Sequence, residues 1–330
     1  MSSYDAIVVG GSYAGLSAAM QLARARRRVC VVDAGAPRNR RAAAAHGFFG
    51  QDGMAPAAML DQARQKLLAY PTVTLLQGTV TSAQAQTAAA ASADASTRER
   101  GSDERAAGSA GAPGFDVELH DGTRLSASKL VLAFGVQDTL PDIEGLSDRW
   151  GTSVLHCPYC HGYEFAGQRL GVLYHSPSSA THVQLIAEWG PTTLFLNGDP
   201  SLPAAERERL QNLGIAVEPA RIDALEGPGK HLSGVRVRDD GAPGNRVVPI
   251  EALYVAAATR PGSSLAEQLG CAIDEGPSGP LVRTDESQMT SVRGVYAAGD
   301  VSLARHNATL ASAEGVVAGT CAHQAMVFGD

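Results

Sequence analysis

Aromatic residues are scarce in this sequence, 5% of its 330 residues, and no apolar run approaches the roughly 20 residues needed to span a bilayer. Basic excess is missing too: Lys plus Arg number 27 against 34 for Asp plus Glu, a formal charge of −7. Nucleic acids and anionic membranes are met with a basic face, so neither is an expected partner. Five cysteines in a chain this long are too few for a disulfide scaffold. The opening Met-Ser-Ser-Tyr-Asp has neither the basic n-region nor the cleavage site of a secretory signal, so a cytoplasmic location is expected. In that setting a close pair of cysteines reads as redox or metal chemistry. What the chain does have is 44% hydrophobic residues, enough for the cores of more than one α/β domain.

Tyr4-Asp5-Ala6-Ile7-Val8-Val9 is a β-branched run suited to a buried parallel strand. A glycine-rich turn over residues 10–15, a helix over 16–23 and a second strand, Val29-Cys30-Val31-Val32-Asp33, complete a βαβ unit. Residues 82–114 are Ala, Ser, Thr and Gly with scattered charges; they offer too little apolar surface to offset their ordering entropy and read as a disordered insertion. A second α/β block spans 141–249, and buried segments return before the closing Gly-Asp and an Ala-rich helix. The expected fold is therefore α/β with two Rossmann-like, three-layer ββα-type nucleotide-binding domains, the second inserted into the first. Residues 1–140 and 250–330 form the outer domain and 141–249 the inserted one.

Gly10-Gly11-Ser12-Tyr13-Ala14-Gly15 follows a strand and opens a helix, where backbone amides favour a pyrophosphate and missing side chains let it approach. Ser12 departs from the fingerprint, standing where a second glycine is expected. Asp33, ending the second strand, occupies the place of the ribose-binding acid. The strand-borne Gly299-Asp300 is a recurrent feature of FAD proteins with split Rossmann domains, which selects FAD over NAD.

His156-Cys157-Pro158-Tyr159-Cys160-His161 is the most informative stretch. Two cysteines with two residues between them can close a disulfide across the first turn of a helix, and Pro158 suits an early helical position because it needs no amide donor. A zinc site is the weaker reading, because adjacent ligands strain a tetrahedron and there is no second CxxC; no metal is expected. Haem attachment belongs to exported proteins. A glutaredoxin-like motif would follow the first strand of its own domain, and this pair follows a FAD-type half. A flavin-coupled dithiol/disulfide centre remains the leading reading.

The order of fingerprint, CxxC-bearing insert and Gly-Asp resembles the low-molecular-weight thioredoxin reductase family over nearly the whole chain. Within it, Cys157-Pro158-Tyr159-Cys160-His161-Gly162-Tyr163-Glu164 and Val8-Val9-Gly10-Gly11-Ser12-Tyr13-Ala14-Gly15 resemble the dithiol oxidases that close disulfides in natural products such as gliotoxin, holomycin and romidepsin. Two departures from the reductases agree with this. His161 replaces their acidic residue after the second cysteine, and the turn after Leu170-Gly171-Val172-Leu173-Tyr174 is His175-Ser176-Pro177-Ser178-Ser179-Ala180, with no glycine. The next strand runs into Asn197-Gly198-Asp199 with no arginine for a 2′-phosphate, so NADP(H) would need an unorthodox mode of binding.

The resemblance implies a small-molecule or peptidic dithiol as substrate, dioxygen as acceptor with peroxide as product, and a homodimer. By the same resemblance Cys157 exchanges with the substrate, Cys160 faces the flavin, and His161 takes and returns thiol protons. Gly10, Ser12, Ala14 and Gly15 would cradle the pyrophosphate, Asp33 the adenosine ribose, Arg38 and Asn39 the adenosine loop, Asp300 the ribityl chain or pyrophosphate, and Asn307 and Ala308 the pyrimidine end. The rivals are an NADPH-dependent thioredoxin reductase and a non-catalytic flavin redox sensor. Cys30, Cys271 and Cys321 read as small buried hydrophobes. His46-Gly47-Phe48-Phe49-Gly50 reads either as a border of the flavin or substrate cleft or as ordinary packing.

Overall fold

The computed structural model describes residues 2–86, 114–238 and 244–329. In chain order the elements that matter here are β1 (Ser2–Val9), α1 (Tyr13–Arg24), β2 (Val29–Asp33), α2 (Pro56–Leu68), β3 (Val73–Gln77), β4 (Val80–Ala85), β5 (Phe115–Leu119) and β6 (Arg124–Leu132). They continue with β7 (Val154–Leu155), α3 (Pro158–His161), β8 (Leu170–Leu173), α4 (Ser178–Ile186), β9 (Thr192–Phe195) and β10 (Ala216–Glu218), and close with β11 (Ala252–Tyr254), β12 (Val295–Ala297) and α5 (Ala308–Phe328). The chain divides into two compact units, one of Met1–Arg40, Ala57–Gln137 and Thr259–Asp330, the other of Arg41–Pro56 and Asp138–Ala258.

The first unit is built on a seven-stranded sheet in the order β3-β2-β1-β6-β5-β4, with β12 pairing β6 as well. Its centre is parallel, Val8 lying between Val31 and Val131. Ala6, Ile7 and Val8 are fully buried because a central parallel strand is covered on both faces, which is why β1 reads as a continuous apolar run. On its edge away from β1 the long β6 serves two further partners: its first half pairs antiparallel with β5 and its second half parallel with β12. Helices α1 and α5 pack backbone to backbone. A Cβ on Gly315 would come within 2.1 Å of the Ala14 carbonyl oxygen, and one on Gly319 within 2.4 Å of that of Ala18, so glycine is what permits the approach.

The second unit carries an all-parallel sheet, β10-β9-β8-β11-β7, beside an antiparallel sheet of Arg221–Glu226, Gly234–Arg238 and Asn245–Val248. One apolar cluster, including Leu155, Val172, Val183, Ile186, Leu194 and Tyr254, joins the parallel sheet to α4.

Three boundaries differ from the sequence reading. The expected insertion began at residue 82, yet β4 runs to Ala85: Ala83 faces the core while Ser82 and Gln84 face outward, and pairing with β5 supplies what the small side chains do not. The rest of that insertion, residues 87–113, lies outside the described residues. The inserted block was expected to end at 249, but β11 lies between β8 and β7 in the second sheet, which carries the boundary to Ala258. Residues 41–56 also belong to the second unit, anchored by an Arg41 Nη1 hydrogen bond to the Ser147 carbonyl at 2.8 Å. Among the described residues no helix is long and apolar enough to cross a membrane.

Candidate active site

Of the thirteen site residues read from sequence, the first unit holds ten. Gly10 adopts φ +108°, and a Cβ there would meet the Ala133 carbonyl oxygen at 2.2 Å; a Cβ on Gly15 would meet the Gly10 carbonyl oxygen at 1.8 Å. The turn is therefore bare backbone by steric necessity. Ser12 is the N-cap residue of α1 without using its hydroxyl as a cap, and no acidic residue occupies the first helical turn, leaving that end suited to an anion. Gly299, at φ +83°, packs on the same turn: its Cβ would lie 2.9 Å from that of Ala14. The fold thus brings Asp300 to the fingerprint although the two are far apart in the chain. These features fit a dinucleotide pyrophosphate.

The carboxylates around the turn are already oriented. Asp33 accepts from the Gly11 amide at 3.1 Å and pairs with Arg64 of α2 at 2.8 Å. Asp300 pairs with Arg38 at 3.0 Å, both side chains largely shielded. Asn39 donates to the Tyr13 hydroxyl at 3.1 Å. Asn307 caps α5, its Oδ1 accepting from the amides of Thr309 and Leu310 at 2.8 and 3.2 Å, so that Ala308 opens the helix. Two residues of this cradle were missed in the sequence. Arg64 pairs with Asp33 across no recognisable local spacing. Glu314, on α5, accepts from the Gly299 amide at 2.8 Å and lies near the Ser302 hydroxyl; burial raises its pKa.

The second unit holds Cys157, Cys160 and His161. Cys157 is the N-cap of α3 with Pro158 as its first residue. The Cys157 thiol is lowered to about 7, chiefly by a hydrogen bond from the Cys160 thiol, with burial opposing and the Cys160 and Tyr159 amides assisting. Cys30, buried in the first unit, is raised by burial to about 11. Burial likewise raises Cys271 and Cys321, the latter only partly covered. Only at the CxxC do donors outweigh desolvation among these thiols, which is what a reactive cysteine requires.

His161 is half-buried, and burial holds its pKa below the usual 6.5; Glu164 pulls it upward and His46 pushes it down. His46, whose role the sequence left open, sits between two carboxylates, with Nε2 3.3 Å from Glu164 and Nδ1 3.5 Å from Asp52. It ties the 41–56 segment to the residues following α3.

The β8–α4 turn differs from a nucleotide loop. Ser179 in the first turn of α4 is fastened to His175, with its Oγ 2.8 Å from Nδ1 and accepting from the His175 amide at 3.2 Å; Ser176 bridges to Ser178 at 2.8 Å. Asp199, beyond β9, accepts from the Ser201 amide at 2.7 Å, and its bonds with Ser201 lower its pKa. The fold does bring a cation to this end, since Arg221 lies against Gly198. With its first turn tied to its own side chains and an ionised carboxylate nearby, the site fits a dinucleotide phosphate poorly.

A bare-backbone dinucleotide cradle in one unit and an activated CxxC in the other define a flavin-linked disulfide oxidoreductase. The chain belongs to the pyridine nucleotide-disulphide oxidoreductase family, whose profile matches residues 4–315. It is an enzyme of the thioredoxin reductase-like branch and its cofactor is FAD. It is 33% identical to thioredoxin reductase tcpT of Claviceps purpurea, over 96% of this chain and 92% of that protein. Among solved structures, an oxidoreductase from Agrobacterium tumefaciens is 38% identical with a TM-score of 0.86 and full coverage of both chains. HlmI is 34% identical with a TM-score of 0.83, covering 98% of this chain and 92% of that one.

Proposed function

We propose that this enzyme is a dithiol oxidase that closes an intramolecular disulfide in a small or peptidic substrate, as in natural-product assembly, with dioxygen as the final acceptor and hydrogen peroxide as product. The observation that carries this reading is the low-pKa Cys157 beside Cys160, in a unit whose β8–α4 turn is closed by its own side chains.

The chemistry starts from the Cys157–Cys160 disulfide. One substrate thiolate attacks the Cys157 sulfur, forming a mixed disulfide and releasing Cys160 as the leaving thiolate. The second substrate thiolate attacks its partner sulfur in that mixed disulfide, the substrate leaves with its S–S bond, and Cys157 departs. A thiol with pKa about 7 leaves readily, so the depressed pKa of Cys157 favours this second step. The substrate loses two electrons and two protons, and the enzyme pair gains them. His161, kept neutral by burial, takes a thiol proton and returns it. FAD would be held by Gly10, Ser12, Ala14, Gly15, Asp33, Arg38, Asn39, Asp300, Asn307 and Ala308, and when bound it would supply a two-electron acceptor for the reduced pair.

The alternative, an NADPH-dependent thioredoxin-disulfide reductase, is favoured by the name of the Claviceps relative and by Arg221 beside Gly198. One anaerobic experiment separates the two. Bleaching of the flavin absorbance by a small dithiol, with recovery and peroxide on admitting air, is the expected result. Bleaching by NADPH but by no dithiol would overturn the oxidase. Cys160→Ser is expected to abolish bleaching by dithiols.

A further inference from the structure

Four aromatic rings stand mostly in solvent among the described residues, Phe49, Tyr159, Tyr163 and Phe328, and two of them flank the redox pair. Tyr159 lies between Cys157 and Cys160 and is 74% exposed; Tyr163 follows Cys160 by three residues and is 86% exposed. Helical backbone continues from α3 through Gly162, at φ −67° and ψ −33°, into a 3-10 turn over Tyr163–Phe165. On such a run Tyr159 and Tyr163 are i,i+4 neighbours and Cys160 and Tyr163 are i,i+3 neighbours, so both rings border the dithiol.

The rings are open, but the backbone that carries them is clasped on two sides. Trp189 packs against the apolar cluster that joins the parallel sheet to α4, and its ring meets that of Tyr159 at 89° with centroids 5.7 Å apart. A Cβ on Gly162 would lie 2.8 Å from the indole, so the indole rests directly on backbone there. The Trp189 carbonyl also accepts from the Gly167 amide at 2.7 Å. On the other side His46 Nε2 lies 3.3 Å from Glu164, the only acidic residue of 158–165, a stretch with no Lys or Arg. Apolar rings left in water on a fixed backbone suit a ligand, because little ordering is left for binding to supply. Two rings offer about 300–500 Å², against about 800 Å² per partner in a standard protein interface, so the surface fits a small molecule.

We propose that Tyr159 and Tyr163 form an aromatic platform for the substrate, with Trp189 as its positioning residue, and that the enzyme prefers a small uncharged dithiol carried on a flat apolar ring. The inference deepens the dithiol-oxidase reading and rests on it. A ring stacked on the tyrosines brings its thiols to the neighbouring cysteines, which raises occupancy and leaves the sulfur exchange itself to the redox pair.

Benzene-1,2-dimethanethiol and dithiothreitol are suitable probes, since each closes a six-membered cyclic disulfide and only the first carries an aromatic ring. Oxidised full-length FAD-bound enzyme is mixed anaerobically with each, quenched in acid, and the cyclic disulfide is measured by chromatography. The two probe thiols become one S–S bond while the Cys157–Cys160 disulfide takes up two electrons and two protons. Half-saturating concentration and limiting rate are read separately. The unaltered chain is expected to half-saturate at a lower concentration of the aromatic dithiol. Tyr159→Ala and Tyr163→Ala should each reduce that preference about fivefold, through the half-saturating concentration, whereas Tyr159→Phe and Tyr163→Phe should retain it. Trp189→Leu should reduce it in the same sense. A preference unchanged in both alanine variants overturns the proposal, and so does one lost equally in the phenylalanine variants, since the ring is then not what binds. Oxidation of both probes without preference would sink the platform alone. Oxidation of neither by the unaltered chain would sink the redox pair, and the platform with it.

Discussion

Arg38 and Asp300, 262 residues apart in the chain, form an ion pair of 3.0 Å beside the glycine turn of the first unit. Each side chain is about four-fifths shielded, so the pair is screened little by solvent. Removing the cation leaves Asp300 charged and partly desolvated next to the fingerprint. Arg38→Ala is expected to lower the stability of the FAD-free chain by about 1–3 kcal/mol, read from urea denaturation, and to weaken FAD retention in a fluorescence titration. Arg38→Lys should recover part of both losses. Equal stability in Arg38→Ala and the unaltered chain would mean that the pair does not orient Asp300.

Glu314 gives a test with a definite sign. Burial raises its pKa above the usual value, while the Gly299 amide bond opposes that shift. A raised folded-state pKa means stability that is present at low pH and lost as pH rises through that pKa. Glu314→Gln keeps an acceptor for the Gly299 amide without a buried charge, and should match or exceed the unaltered chain in thermal stability at pH 8. Glu314→Ala leaves the amide without its acceptor and should be less stable at every pH. If Gln and Ala behave alike, the Gly299 bond is not what Glu314 contributes.

Cys157 works in the opposite sense. Its folded-state pKa of about 7 lies below the usual 9, so its contribution is present above the unfolded value and disappears as pH falls through 7. The reduced enzyme should gain stability relative to the oxidised enzyme between pH 7 and pH 9 in paired denaturation curves. A difference that stays flat across that window would remove the case for a stabilised thiolate.

Much of the fold was legible because it rests on local pattern. The β1–turn–α1–β2 unit, Pro158 opening a helix after Cys157, and the buried strand leading into Gly299-Asp300 each follow from residue spacing and turn chemistry within one contiguous stretch of chain. What was not legible depends on pairing between distant segments. Nothing local in Leu253-Tyr254 says that β11 lies between β8 and β7, and so the domain boundary was set too early. Arg64 is an unremarkable helical arginine until α2 brings it to Asp33. His46 gains meaning only when the 41–56 segment is seen joined to Glu164.

His161 carries the final prediction. Desolvation lowers its pKa below 6.5, and of the two charged neighbours Glu164 opposes and His46 assists. The imidazole is consequently neutral at pH 7 and can accept a proton when a substrate thiol attacks. Exchange between dithiothreitol and the oxidised enzyme, followed anaerobically by stopped flow, should therefore slow as pH falls through the imidazole pKa. His161→Asn removes the base while keeping a polar side chain of similar size, and should reduce the exchange rate at pH 7 by about 100-fold. The acid limb assigned to the imidazole should vanish from its profile, leaving the limb set by the attacking thiol. Glu164→Gln removes the charge that pulls the imidazole upward, so it should move the same limb to lower pH. Persistence of an unchanged acid limb in His161→Asn would assign proton transfer to another group, with His46 the next to replace.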